Sequence, residues 1–113
     1  MAEDLPKEVV DKVLEAIEVA KATGKIKKGT NEVTKCVEKG IAKLVAVAKD
    51  ISPAEIIMHI PVICKEKGIP CAIVPSKEEL GASAGLPVST ASVAIVTEGE
   101  AKNLIKELTE KLK

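Results

Sequence analysis

Three short and almost continuous apolar runs constrain the fold of this chain more than any other feature. They occupy residues 44–48, 71–74 and 92–96. A run of this length with little polar interruption is typical of a strand that is buried on both faces. Stretches with the i, i+3, i+4 spacing of amphipathic helices separate these runs. The alternation predicts an α/β fold, an α-β-α sandwich of three layers.

Start and stop signals place five helices around these strands. We predict them over residues 6–23, 29–39, 53–68, 76 to about 81 or 84, and 101–111. Capping-box sequences precede three of the helices, at Ser52, Ser76 and Thr97. Either Thr30 or Asn31 is expected to cap the second helix. Gly24 should end the first helix, and Pro61 should bend the third.

The second predicted helix has a mixed polar face. At its start, Asn31, Glu32 and Lys35 bring together an amide, a carboxylate and an ammonium, and Lys39 follows one turn later on the same face. An apolar stripe that can face a core is formed by Val33, Cys36 and Val37. Lys27, Lys28 and Gly29 come just before the helix. This mixture suits the recognition of nucleobase edges beside phosphates.

Charge is concentrated around this helix although the whole chain is neutral. Residues 21–43 contain seven lysines and two glutamates, while the formal net charge of the 113 residues is zero. A local positive field of this kind attracts polyanions. The alternative interpretation is a solvated lysine-rich face with no ligand.

Composition narrows the possible modes of binding. All seventeen basic residues are lysines, so phosphate contacts would lack the planar fork of arginine. The chain has no Phe, Tyr or Trp, which excludes recognition by aromatic stacking.

No apolar run is long enough to span a membrane and the first residues are acidic, so we expect neither a membrane span nor a signal peptide. We therefore expect a single cytoplasmic domain, residues 1–113.

Catalytic and metal chemistry are not indicated. Cys36, Cys64 and Cys71 lack the spacing of metal ligands and are predicted to be buried thiols in a reducing compartment. His59 is expected to pack or to form a hydrogen bond. The hydroxyl groups of Ser89, Thr90 and Ser92 should satisfy turn backbone. No nucleophile–base–orienter set or phosphate-binding glycine loop is present, so we expect no enzyme activity, no metal and no cofactor.

The motif Lys-Lys-Gly-Thr-Asn-Glu-Val-Thr-Lys at residues 27–35 resembles the signature of the ribosomal L-seven-Ae family of kink-turn RNA-binding proteins. Further segments that resemble this family occur in order at residues 37–40, 42–45, 53–61, 67–70, 75–81, 84–86 and 91–95. The resemblance covers residues 6–113 and includes the first helix, which makes the archaeal ribosomal form the best match. It implies an α-β-α sandwich with a small mixed sheet of about four strands.

The resemblance also implies an RNA ligand and the residues that bind it. Kink-turns are internal loops in which tandem sheared G·A pairs adjoin a three-nucleotide bulge. The family uses its motif Asn, Glu and Lys on guanine edges, which correspond to Asn31, Glu32 and Lys35. The remaining residues expected at the RNA, for close backbone approach, phosphate charge or cover over the flipped-out nucleotide, are Lys27, Lys28, Gly29, Thr30, Lys39, Leu86, Pro87 and Val88. For Leu86 and Val88 the alternative is ordinary anchoring of the loop into the core.

The chain departs from the family pattern at several positions. Ser52 stands where an acid often contacts the flipped-out nucleotide, and Lys49 and Pro87 also stand where acids are common. Lys39 replaces the usual arginine. Ala46 and Cys71 lie near positions that often hold tyrosine.

The family's roles supply the expected partners. These are kink-turns of large-subunit ribosomal RNA and of box C/D and H/ACA guide RNAs, with ribonuclease P RNA, and hence tRNA processing, as a further case. The core proteins of the guide ribonucleoproteins would be protein partners, and the free protein would be a monomer. Two alternatives are an RNA-targeting domain related to those of RNA methyltransferases and a purely structural ribosomal protein.

Overall fold

A four-stranded mixed sheet forms the middle layer of the part of the chain that the computed structural model describes, residues 7–48, 55–87 and 89–112. The strands are β1 (Lys25–Lys28), β2 (Leu44–Ala48), β3 (Cys71–Val74) and β4 (Ser92–Thr97). Their order across the sheet is β1-β4-β2-β3. Strands β2 and β3 are parallel, and the other two pairs are antiparallel. The expected α/β fold with a mixed sheet is confirmed.

Helices cover both faces of this sheet. One face packs against α1 (Lys7–Thr23), α4 (Lys77–Ser83) and α5 (Lys102–Leu112). The other face packs against α2 (Thr30–Glu38) and α3 (Glu55–Lys67). A 3-10 turn, Gly99–Ala101, leads into α5. The two hydrophobic cores are called the α1-side core and the α2-side core below.

Strand β2 shows why its sequence is continuously apolar. It lies inside the sheet, and all five of its residues are buried. Leu44, Ala46 and Ala48 point into the α1-side core. Val45 and Val47 point into the α2-side core. A polar residue at any of these positions would lose its water without gaining a partner.

Strand β3 lies at the sheet edge and is only partly buried, in contrast to the fully buried strand that was predicted. Ala72 and Val74 are buried in the α1-side core, whereas Cys71 and Ile73 are half-buried on the opposite face.

Strand β1 was not located from the sequence. It contains three lysines and one apolar residue, Ile26, which packs against the α1-side core. Its partner is β4, with Lys28 opposite Val93 and Lys27 opposite Ala94. Because β1 lies at the edge of the sheet, its lysines remain in solvent and leave no apolar run to detect.

The predicted cap of α2 is wrong. Gly29 occupies the cap position with φ 94° and ψ 147°, and no side-chain hydrogen bond caps this helix within the described residues. Thr30 is already the first helical residue. Positive φ favours glycine, which places the chain reversal at Gly29 and leaves Thr30 and Asn31 inside the helix.

The predicted cap at Thr97 is also wrong, whereas the cap at Ser76 is confirmed. Thr97 ends β4, and the Glu100 N–H donates to Thr23 Oγ1 of α1 at 2.8 Å. A neighbouring helix therefore supplies the acceptor that the capping box would have provided. At α4, Ser76 Oγ accepts from the Glu79 N–H at 3.3 Å.

Some expectations lie outside what the structure describes. Ser52 with its capping box, Lys49 and Val88 are outside the described residues. The side chain of His59 is likewise outside them. Helix α3 continues through Pro61, and a bend there stays a prediction.

Candidate nucleic-acid interface

The polar face of α2 is exposed, as its sequence predicts. Asn31, Glu32, Lys35 and Lys39 are all exposed. The opposite stripe is buried in the α2-side core and consists of Val33, Cys36 and Val37. Burying three apolar side chains of a nine-residue helix holds it on the sheet, at roughly 1.5–3 kcal/mol for each large one. The exposed polar groups are therefore presented by a helix that is anchored on the sheet.

The edge strand β1 places further charge beside this helix. Lys27 and Lys28 are exposed and directly precede Gly29, the residue that joins β1 to α2. Since Ile26 points into the α1-side core, strand alternation turns Lys27 toward the α2 side of the sheet.

The electrostatics of Cys36 show which charges surround the middle of α2. Burial raises the pKa of the Cys36 thiol above its ordinary value, and the Lys27 and Lys39 ammonium groups oppose this rise. The Glu32 carboxylate acts in the same direction as burial. The structure thus brings Lys27, Glu32 and Lys39 around one buried residue, although Lys27 comes from a different element.

The backbone at Gly29 fixes the start of α2 on the sheet. The Gly29 N–H donates to the Ser92 carbonyl oxygen at 3.1 Å, and the Gly29 carbonyl accepts from the Val33 N–H at 3.0 Å. The amides of the first helical turn point away from the helix, where they have no intrahelical acceptor. Such a turn is favourable for an anionic group. Ser92 was not assigned a positioning role from the sequence, because its carbonyl has no sequence signal.

The segment before β4 is partly tied into the core. Leu86 is half-buried against the α1-side core, which fits the anchoring alternative for this residue. Its N–H donates to the Gly81 carbonyl at 2.9 Å, and the adjacent Pro87 is exposed. The Lys21 side chain lies across Gly85, so that a Cβ there would be 2.6 Å from Lys21 Nζ.

The hydroxyl groups near this segment behave partly as expected. Thr90 Oγ1 donates at 3.2 Å to the carbonyl oxygen of Ser92, the residue at which the loop passes into β4. The prediction for Ser92 is wrong, because its Oγ is buried and has no hydrogen-bond partner among the described residues. Ser89 is exposed.

The described residues contain no group of three or more metal-ligating side chains. In the same part of the chain, no helix combines the length and apolar character needed to cross a bilayer. Cys36 and Cys64 are buried free thiols as predicted, whereas Cys71 is free but only half-buried.

Comparison with known proteins identifies the family. The family model described as "Ribosomal protein L7Ae/L30e/S12e/Gadd45 family" matches residues 11–105. The solved structure of the Giardia lamblia 15.5kD RNA binding protein superposes with a TM-score of 0.91 at 31% sequence identity. The match covers 96% of this chain and 91% of the Giardia chain. The chain therefore belongs to the ribosomal protein L7Ae/L30e/S12e/Gadd45 family.

Proposed function

We propose that this protein binds RNA and recognises kink-turn motifs through the start of α2. The observation that carries the proposal is the exposed set Asn31, Glu32 and Lys35 on a helix whose first turn has no side-chain cap in the described structure. Family membership and the likeness to a Giardia protein named for RNA binding support an RNA ligand.

The chemistry of these three side chains fits guanine edges. An amide and an ammonium can donate to guanine O6 or N7, and a carboxylate can accept from guanine N–H groups. Side chains cannot enter the deep, narrow major groove of regular A-form RNA. A sharp kink at tandem G·A pairs opens that groove, so the end of a helix can enter it. Recognition by α2 therefore requires kinked RNA.

Phosphate binding would use the lysines that flank this set. Lys27, Lys28 and Lys39 supply positive charge, and the first-turn amides after Gly29 add hydrogen-bond donors. The Thr30 amide belongs to this group. Gly29 lets the RNA backbone approach closely because it has no side chain.

Cover over the flipped-out nucleotide would come from the segment before β4. Pro87 is exposed and available for this contact, while the half-buried Leu86 would hold the segment on the core. We propose the same covering role for Val88.

The function follows from preference for one RNA conformation. A protein that binds only the kinked state shifts the RNA equilibrium toward it and performs no chemistry itself.

We propose that this protein acts as a cytoplasmic monomer of the archaeal type. Its RNAs would be large-subunit ribosomal RNA, box C/D and H/ACA guide RNAs, and ribonuclease P RNA. In guide particles the bound protein would recruit the core proteins that carry the modification activity.

A gel-shift titration tests the proposal at a fixed salt concentration of about 0.15 M, because affinity for nucleic acid depends on salt. The two RNAs are a standard kink-turn and a variant whose G·A pairs are replaced by Watson–Crick pairs. We expect tight binding to the first RNA and a loss of several tens-fold on the second. Equal binding to both RNAs would mean that this surface binds RNA only as a basic patch and does not recognise the G·A pairs.

A further inference from the structure

One backbone oxygen joins the two surfaces that the proposed function assigns to RNA. The Ser92 carbonyl accepts from the Gly29 N–H at 3.1 Å and from Thr90 Oγ1 at 3.2 Å. Gly29 begins α2, whose first turn is proposed to read the bases. Thr90 belongs to the segment before β4, which is proposed to cover the flipped-out nucleotide. A carbonyl oxygen has two lone pairs, so it can accept both hydrogen bonds together.

The Thr90 side chain is buried, unlike that of its neighbour. Thr90 is 9% exposed, whereas Ser89 is exposed. Removing a hydroxyl group from water is costly unless the hydroxyl finds a hydrogen-bond partner. A valine has nearly the same shape and carries no such cost. The hydrogen bond to the Ser92 carbonyl therefore offsets the burial of this hydroxyl and distinguishes threonine from valine at position 90.

Backbone hydrogen bonds hold the same segment on α4. The Leu86 N–H donates to the Gly81 carbonyl at 2.9 Å, and the Thr90 N–H donates to the Lys77 carbonyl at 3.3 Å. Both acceptors belong to α4, which packs in the α1-side core on the face of the sheet opposite α2. The Thr90 hydroxyl instead ties the segment to β4, at the residue where β4 holds the start of α2.

Loss of this hydroxyl would leave α2 in its place. The Gly29 N–H would keep its hydrogen bond to the Ser92 carbonyl, and β4 is paired with β1 on one side and β2 on the other. The segment before β4 would be freed from the strand and remain attached to α4. The effect on RNA binding should therefore fall on the cover over the nucleotide and spare the base-reading residues of α2.

We propose that Thr90 is a positioning residue whose hydroxyl fixes the segment before β4 relative to the start of α2, so that this segment closes on the flipped-out nucleotide. The inference rests on the proposed function and extends it to a residue outside the set assigned to RNA. A segment that is already held loses less conformational freedom when it binds, and it therefore binds more tightly.

A double-mutant cycle between the protein and the RNA tests this role. The two RNAs are the standard kink-turn and the same kink-turn with an abasic site at the flipped-out nucleotide. The proteins are the wild type, Thr90→Val, which lacks the hydroxyl, and Thr90→Ser, which keeps it. Gel-shift titrations at about 0.15 M salt give the affinity of each protein for each RNA.

The expected loss depends on the base that is covered. Thr90→Val should bind the intact kink-turn about two- to tenfold more weakly than the wild-type protein, which is the size of one hydrogen bond. On the abasic RNA the two proteins should bind alike, because no base remains to be covered. Thr90→Ser should follow the wild-type protein on both RNAs. Replacing the G·A pairs should weaken all three proteins by the same factor, because α2 is unchanged.

Two further variants control for a general loss of structure. Thr109→Val removes a hydroxyl that donates to the Ile105 carbonyl at 2.8 Å on α5, and it should bind both RNAs like the wild-type protein. Thr90→Ala removes the same hydroxyl as Thr90→Val and should repeat its pattern, so the test does not depend on one variant. Thermal unfolding shows that each protein is folded.

Several results would overturn the proposal. These are wild-type affinity of Thr90→Val and Thr90→Ala for the intact kink-turn, an equal loss on both RNAs, a loss for Thr90→Ser as large as that for Thr90→Val, and failure of both hydroxyl-free variants to fold. The proposed function would survive each of them if the wild-type protein still prefers the kink-turn to the RNA without G·A pairs. Absence of that preference would overturn the proposed function and this inference together.

Discussion

At the scale of single residues, the polar groups that we assign to RNA contribute little to folding. Asn31 and Glu32 are exposed, and neither lies in a hydrophobic core. Their placement depends on Val33 and Val37, which are fully buried on the other side of α2. Recognition and stability can therefore be changed separately in this helix.

Replacing Asn31 or Glu32 by alanine should weaken kink-turn binding by about 1–3 kcal/mol, the usual value of a specific base contact. The free energy of unfolding, measured by thermal unfolding, should stay within about 0.5 kcal/mol of the wild-type value, as for other surface substitutions. Glu38→Ala is the matched control, since Glu38 is an exposed acid at the other end of the same helix. A gel shift on one kink-turn measures all three variants. If the Asn31→Ala and Glu32→Ala variants both bind with wild-type affinity, these two residues do not recognise the bases.

Gly24 illustrates a residue whose importance comes from close packing. A Cβ at this position would lie 2.0 Å from the Thr97 carbonyl oxygen, a backbone atom of β4. Gly24→Ala must therefore displace a strand and should cost about 3 kcal/mol or more. Gly40→Ala is the control, because Gly40 has φ 71° and open space around it. That change should destabilise the protein only by the cost of holding an alanine in the left-handed backbone conformation, about 1–2 kcal/mol.

Urea unfolding of both glycine variants gives the comparison. If the Gly24→Ala variant is no less stable than the Gly40→Ala variant, then close packing against β4 is not what requires glycine at position 24.

At the scale of elements, the charged surface combines β1 and α2. The lysines of β1 are positioned by pairing with β4, and those of α2 by the apolar stripe beneath them. Both supports rest on β4, through strand pairing for β1 and through packing near Ala94 for α2. Because the lysines themselves are exposed, the charge of one element can be removed while the other element keeps its place.

Lys39→Ala should weaken binding to all RNAs and reduce the slope of log affinity against log salt by about one unit. The slope falls because one fewer lysine neutralises a phosphate, so fewer counterions are released on binding. Lys106→Ala is the control, since Lys106 is exposed on α5 in the opposite helical layer. Titrations at several salt concentrations measure both slopes. An unchanged slope for Lys39→Ala would exclude this residue from phosphate contact.

The two capping predictions give a second test at this scale. Ser76→Ala removes the hydroxyl that accepts from the Glu79 N–H, and it should destabilise the protein by about 1 kcal/mol. Thr97→Ala changes a strand residue that caps nothing in the described structure, and it should cost less. Chemical unfolding of both variants decides the point. A larger loss for Thr97→Ala would mean that its capping box contributes after all.

At the scale of the whole molecule, two cores share one sheet. Leu44 and Val45 are adjacent in β2 and point into different cores, so damage to either core affects the same strand. The outer layer of α1 and α5 is further joined by the ion pair of Lys12 with Glu107. This pair is solvent-exposed, and its contribution is correspondingly small.

The pH dependence of this ion pair has a definite sign. Its hydrogen bond to Glu107 is the main reason that the pKa of Lys12 is raised above its ordinary value. The stabilisation is therefore fully present below the unfolded pKa of about 10.4 and is lost as the pH rises through the folded value. The difference in unfolding midpoint between the wild-type protein and Lys12→Met should shrink above about pH 10. A difference that grows with alkaline pH would contradict the assigned direction.

Sequence alone determined the parts of this protein that depend on local pattern. The apolar runs located β2, β3 and β4, and helical spacing located all five helices, because burial of a strand or a helix face imposes its own periodicity. The exposed face of α2 was also predicted, since its polar residues recur at the spacing of one helical face. The resemblance of residues 27–35 to a known motif is confirmed at the level of the family.

Only the tertiary structure decided the features that depend on a distant partner. Strand β1 exists because β4 offers it an edge, and Glu100 binds Thr23 although the two are 77 residues apart. The Gly29 N–H is held by the Ser92 carbonyl oxygen. In each case the partner is a backbone group or a side chain brought near by packing. Such partners carry no periodic signal in the sequence, so they become visible only once the chain is folded.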